Sequence, residues 1–280
     1  IELYHSALER DRERSESTRA LEAFMASPET RVEAAEALEE HYGATAEHAS
    51  LARVYRAQIE AALDPSERLE RYKLLGGLLR DPLAAPREAF NAFCAALRED
   101  LHDEPSLEAL QAIGGEQSMF SELAEVYAEL AALDPHSVVA VSMMRARAKL
   151  CAYRLNAPHD AIEAWRAVRD AEPDDSEALK ALAKLFEQES RWADLIDILQ
   201  ASVEVEPDRY ELRIRLGELL ESVAHDSAGA IEQWRQVLLD FPEVEEAQRA
   251  LEARFHLAEH LEEVAQLLEP IYRDQGKWQQ

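Results

Sequence analysis

The segment Ala161-Ile162-Glu163-Ala164-Trp165 returns as Ala230-Ile231-Glu232-Gln233-Trp234, and this recurrence decides how the chain is organised. The same aromatic position is filled by Phe93 in Ala89-Phe90-Asn91-Ala92-Phe93 and by Phe24 in Ala20-Leu21-Glu22-Ala23-Phe24. Successive aromatics are 69, 72 and 69 residues apart. A second marker runs in counterphase: His48, Phe120, Trp192 and Leu261 each precede an apolar helical run, at spacings of 72, 72 and 69. Two markers with one period indicate about four double units, each of two helical hairpins. A fixed internal period of this kind is the signature of a stacked array, in which each unit packs only on its neighbours.

Prolines set the half-period. Pro173, Pro207 and Pro242 are 34 and 35 residues apart, each after one amphipathic run and before the next. Proline lacks the N–H that would continue a helix and disfavours helix in the residue before it, so it separates two helices cleanly. Within the repeat, Leu179, Leu182, Ala183 and Phe186 occupy one helical face and Leu195, Leu199 and Ser202 the next. In the following repeat these become Leu216, Gly217 and Leu220, then Ala230, Trp234 and Val237. Gly217 has a counterpart in Gly76, 141 residues earlier, and a glycine repeated inside a helix marks close helix–helix approach.

In length and in these residues the repeat resembles the tetratricopeptide superfamily, as a stretch of a long array of bacterial type. The resemblance implies an all-α, right-handed α-solenoid of about sixteen tetratricopeptide-like helices, forming one continuous superhelix over 1–280. The pattern weakens near 103–118, where Gly114-Gly115 interrupts it, and a seam is expected there. The start at Ile1 without methionine, and the stop after Gly276-Lys277-Trp278, lead to the expectation of a longer parent chain.

Composition narrows the function. Lys and Arg total 30 against 57 Asp and Glu, a formal charge of −27, which repels phosphate backbones and speaks against nucleic acid. No stretch approaches the roughly 18 apolar residues of a membrane helix, so no membrane insertion is expected. Cys94 and Cys151 lie in separate helical runs without CxxC spacing and read as small core residues in a reducing, cytoplasmic compartment.

Motifs for chemistry are sparse. His256-Leu257-Ala258-Glu259-His260 matches the H-x-x-E-H pattern of inverted zinc peptidases, but it falls at the exposed end of a first helix and only 20 residues follow it. It reads as a surface cluster, and no metal or cofactor is expected. Paired carboxylates are so common that no pair is informative, and the recurrent Trp and Phe read as core. Phosphate-cradling motifs are absent. The chain therefore reads as a non-enzyme.

One distribution stands out. Of the chain's five lysines, Lys73, Lys149, Lys180 and Lys184 fall at positions five or nine of first helices, and Arg80 and Arg145 map to the same lining. In the tetratricopeptide family those positions face the concave groove. The resemblance thus implies a protein-interaction scaffold with a locally basic groove for a protein or peptide, such as an acidic segment or chain terminus. Asn91 and Asn156, the only asparagines, do not map to the positions of the family's carboxylate clamp for chaperone tails. Alternative readings are a regulatory or docking helical region of a larger multidomain enzyme or assembly, and a metallohydrolase through His256 and His260.

Overall fold

The computed structural model describes residues 1–10, 15–253 and 261–274. Among these residues it is all-α, with sixteen α-helices and no strand. The chain divides into two compact units, Ile1–Leu155 and Asn156–Gln280. The first contains α1 (Glu2–Arg10), α2 (Ser15–Met25), α3 (Arg31–Thr45), α4 (His48–Ala61), α5 (Pro65–Arg80), α6 (Pro86–Glu99), α7 (Glu104–Glu116), α8 (Phe120–Ala131) and α9 (Val138–Tyr153). The second contains α10 (Pro158–Ala171), α11 (Ser176–Gln188), α12 (Trp192–Val205), α13 (Tyr210–Leu219), α14 (Ser227–Asp240), α15 (Glu245–Glu252) and α16 (Leu261–Asp274), with a π-helical turn at Leu220–Ala224 prolonging α13. Within each unit every helix packs on the one before it and the one after it.

The counterphase markers are helix starts: His48, Phe120, Trp192 and Leu261 are the first residues of α4, α8, α12 and α16. The aromatic markers lie in α2, α6, α10 and α14, where Phe93, Trp165 and Trp234 are buried. Phe24 departs from the core reading. It is 36% exposed and rests against Tyr4, with ring centroids 6.2 Å apart.

Odd-numbered helices are the first helices of the repeat, and local chemistry starts and stops them. Asp64, Asp103, Ser137 and Asp175 cap α5, α7, α9 and α11, each side chain accepting an N–H from the first turn. The tight turn into the second helix is made by a left-handed residue at Ala46, Ala84, Ser118, Ser190 and His225. Around each of these turns a later N–H reaches back over the helix end: Glu47 to Tyr42 O, Ala85 to Leu79 O, Met119 to Gly114 O, Arg191 to Phe186 O and Asp226 to Leu220 O, which satisfies carbonyls that the helix leaves open. The prolines Pro173 and Pro207 fall in the loops between α10 and α11 and between α12 and α13, and Pro242 follows α14.

The repeated glycine sits under the repeated aromatic. A Cβ on Gly76 would lie 2.7 Å from Phe93 Cζ, and one on Gly217 would lie 2.7 Å from Trp234 Cε2. Each ring therefore lies directly on the backbone of its partner helix. The stretch 103–118, where the sequence pattern weakens, is folded as α7 with Gly114 and Gly115 inside it, and Gly114 packs against Leu123 of α8.

Neighbouring glycines in α5 separate packing from helix propensity. Gly76→Ala should destabilise by about 1–3 kcal/mol, because the Phe93 ring must move to admit the methyl. Gly77, with nothing within 4 Å of its would-be Cβ, should stabilise by about 0.5–1 kcal/mol on replacement by Ala. Thermal denaturation of the two single variants measures both signs.

Candidate partner-binding surface

All six cations singled out from the sequence lie on first helices: Lys73 and Arg80 on α5, Arg145 and Lys149 on α9, Lys180 and Lys184 on α11. Lys73 Nζ is 3.0 Å from Glu70 and 3.1 Å from Asp103, and Arg80 is 3.0 Å from Glu116 on α7. Lys180 Nζ donates to Glu206 at 2.6 Å, and Arg209 reaches the same carboxylate at 2.9 Å. Arg145 and Lys149 are also engaged within the chain. Lys184 is exposed and has no ion pair among the described residues.

These pairs belong to a wider set. Second helices are tied to second helices by Arg53–Glu22, Arg56–Glu88, Arg87–Glu122, Arg98–Glu129 and Arg166–Asp194. First helices are tied to first helices by Arg71–Glu39, Arg80–Glu116 and Arg215–Glu187. Arg31–Glu60 and Arg68–Glu99 close individual hairpins. Several of the arginines use the fork geometry that lysine lacks. Arg68 donates Nε and Nη2 to the two oxygens of Glu99 at 2.7 and 2.6 Å, and Arg98 does the same to Glu129 at 2.9 and 3.0 Å. Both pairs are 31 residues apart. That spacing is readable in the sequence.

The carboxylates respond accordingly. Glu99 is held below the usual carboxylate range by Arg68, Glu129 by Arg98, and Glu206 by Lys180 and then Arg209. Asp103 is pushed up by burial but held lower on balance by hydrogen bonds from Ser106 and Lys73.

In the second unit, Lys180 lies on the rim of a small pit between α11, the end of α12 and α13. Its walls are largely apolar, from Leu179, Ala183, Leu199, Val205 and Leu212, and its volume is about 40 Å³. That is room for a methyl-sized group rather than for a metabolite. At the rim two cations, Lys180 and Arg209, face one carboxylate, Glu206.

Other sequence candidates fall elsewhere. Cys94 and Cys151 are buried free thiols, and burial pushes the Cys94 thiol up to about 12. Asn91 lies on α6, a second helix, and Asn156 in the turn after α9. His256 and His260 lie outside the described residues. Among the described residues no cluster of three His, Cys, Asp or Glu side chains is placed to hold a metal ion, and no helix is long and apolar enough to cross a membrane.

No protein-family model and no curated protein matches the chain. Solved structures do. MamA is 17% identical over 59% of this chain and 93% of that chain, with a TM-score of 0.37. YrrB, described as a tetratricopeptide protein with an unusual peptide-binding site, is 14% identical over 72% and 99%, with a TM-score of 0.36. A tetratricopeptide protein from Parabacteroides merdae is 15% identical over 89% and 98%, with a TM-score of 0.33. Each unit is an all-α stack of successive helices.

Two measurements test the electrostatics of this array. A carboxylate with a depressed native pKa contributes stability that is present above its unfolded value, about 4.3 for Glu, and lost as pH falls through the native value. Glu99→Gln should therefore lower Tm by about 1–3 °C at pH 7, and by less at about pH 4, below the unfolded-state value. Calorimetry at both pH values checks this; the general relief of acidic repulsion is common to both proteins and cancels. Separately, Cys94 should resist a disulfide reagent at pH 8 in the native protein and react at once in denaturant, followed by thiol titration.

Proposed function

We propose that the chain is a non-catalytic scaffold that holds a partner polypeptide on its first-helix face, with an acidic segment gripped around Lys180 and Lys184. The observation that carries this is the rim of the α11–α13 pit. It combines an apolar floor with an excess of cations, one of which, Lys180, points its ammonium group at a carboxylate already. An incoming carboxylate can replace Glu206 at Lys180, while Lys184, one turn further along α11, is open to a second contact. The apolar floor gives a small side chain a dry contact, and the two ammonium groups set its register.

The overall charge of −27 opposes an acidic partner only at long range, since exposed charges are screened beyond about 8 Å at physiological salt. At the rim of the pit two cations face one carboxylate. Binding should accordingly be salt-sensitive and modest in affinity, as for rim charges that pay in desolvation what they gain in attraction.

An affinity pull-down from the source lysate at low and high salt, with the Lys180→Glu, Lys184→Glu double variant in parallel, tests the reading. A partner retained by wild type at low salt should be lost at high salt and in the variant. Undiminished retention by a variant that keeps its helical circular dichroism would remove the groove from the account.

A further inference from the structure

The first unit has a cleft at the position corresponding to the pit, and its chemistry is reversed. The double repeat places Trp192 and His48 144 residues apart, as the first residues of α12 and α4. By the same offset Ser176, Lys180 and Ser202 of the pit correspond to Val32, Glu36 and Gln58. All three of these line a cleft of about 290 Å³ formed by α3, the end of α4 and the start of α5. Where the second unit has a lysine, the first has a glutamate. Asp64 and Glu67 add two more carboxylates.

One cation, Arg71, also lines the cleft, and it and the nearby Arg68 are turned to other groups. Arg71 gives both its contacts to Glu39, at 2.9 and 3.0 Å. Arg68 is held by Glu99 and by the carbonyls of Ala62 and Leu63, at 3.4 and 3.2 Å. Asp64 is occupied in part with the Ser66 N–H. Glu36 and Glu67 are exposed and have no ion pair among the described residues, in a chain where arginines meet carboxylates across most helix pairs.

Gln58 supplies an independent sign of a ligand. It lines the cleft yet is only 5% exposed. Its Nε2 donates to Glu39 Oε2 at 2.7 Å, which fixes the amide so that Oε1 is the remaining acceptor. That buried oxygen has no hydrogen-bond partner among the described residues. Orphaned buried acceptors are uncommon and call for a donor. The corresponding Ser202 in the second unit has none of this character, because its hydroxyl donates to Ile198 O at 2.8 Å.

We propose that this cleft takes the side chain of an arginine from a partner polypeptide, its guanidinium fork spreading donors to Gln58 Oε1 and to Glu36 and Glu67. The apolar residues decide between an organic cation and a metal ion. Val32, 50% exposed, and Leu63, 93% exposed, stand beside the carboxylates and offer an aliphatic stem a surface to lie on. A bare ion would have no use for them, and a cleft of about 290 Å³ far exceeds the space of one ion. The carboxylates do not converge: no metal-holding cluster is present among the described residues.

The site is independent of the Lys180 pit, and the test keeps the two apart. The amide-blocked pentapeptide Ala-Ala-Arg-Ala-Ala is titrated into deuterated, ¹⁵N-labelled chain and followed by NMR, with a peptide carrying neutral citrulline in place of arginine, and magnesium chloride, as controls. Saturable shifts are expected at the Gln58 side-chain NH₂ and at backbone amides of residues 32–36 and 61–67. Affinity should fall at least fivefold for the citrulline peptide and for the Glu36→Gln, Glu67→Gln variant, and should be unchanged in Lys180→Glu, Lys184→Glu. The proposal is overturned by equal binding of both peptides, by shifts scattered over the acidic surface that the Glu36→Gln, Glu67→Gln variant leaves intact, by magnesium producing the same shifts, or by no saturable change at Gln58.

Discussion

The contact on which the rest depends is an aromatic ring laid on the bare backbone of its partner helix. Phe93 covers Gly76, and Trp234 covers Gly217, with the same 17-residue separation in two different units. A glycine inside a helix costs about 1 kcal/mol in propensity, so its repetition at this place reflects what the absent Cβ permits. The two helices of a hairpin come close enough for one large ring to fill the space between them. Once hairpin geometry is set in this way, neighbouring hairpins can stack with the same offset, and the clefts between successive first helices recur with the period of the array.

Charge is arranged on top of that frame. With 57 acidic residues against 30 Lys and Arg, the chain would repel itself, and the cations are placed where they join one helix to another. Individual exposed pairs contribute little, but pairs such as Arg68–Glu99, with side chains 26% and 18% exposed, are fork-shaped and partly shielded. Because the cations are concentrated at helix contacts, local imbalances remain between first helices. At equivalent positions Lys180 edges an apolar pit, and Glu36 edges an acidic cleft over an unsatisfied amide oxygen. Equivalent positions of one architecture thus present opposite charge.

The fold was legible because its signals are periodic. The marker residues His48, Phe120, Trp192 and Leu261 begin helices, the prolines Pro173 and Pro207 lie between helices, and Gly76 and Gly217 are under rings. Where periodicity was imperfect the reading weakened: α7 is a continuous helix through Gly114 and Gly115, which the sequence pattern marked as an interruption. Phe24 was assigned to the core by its register, yet near the start of the array it is half open and leans on Tyr4. Site chemistry was less legible. The six cations could be placed on first helices from spacing, but whether each met a carboxylate depended on rotamers and on residues a hairpin away. Gln58 was invisible for the same reason: one amide among many polar residues, it is distinguished only by burial and by an oxygen left without a donor.

Nearest-neighbour packing through the glycine–aromatic contact can be tested most directly by hydrogen exchange on Gly217→Ala, read by mass spectrometry with peptide resolution. Loss of protection should be greatest in α13 and α14, smaller in α12 and α15, and absent in α10, because the disturbed ring reaches the rest of the unit only through successive interfaces. A uniform loss across α10 to α15 would contradict the account, showing that the unit opens as one globular core rather than as a stack of hairpins.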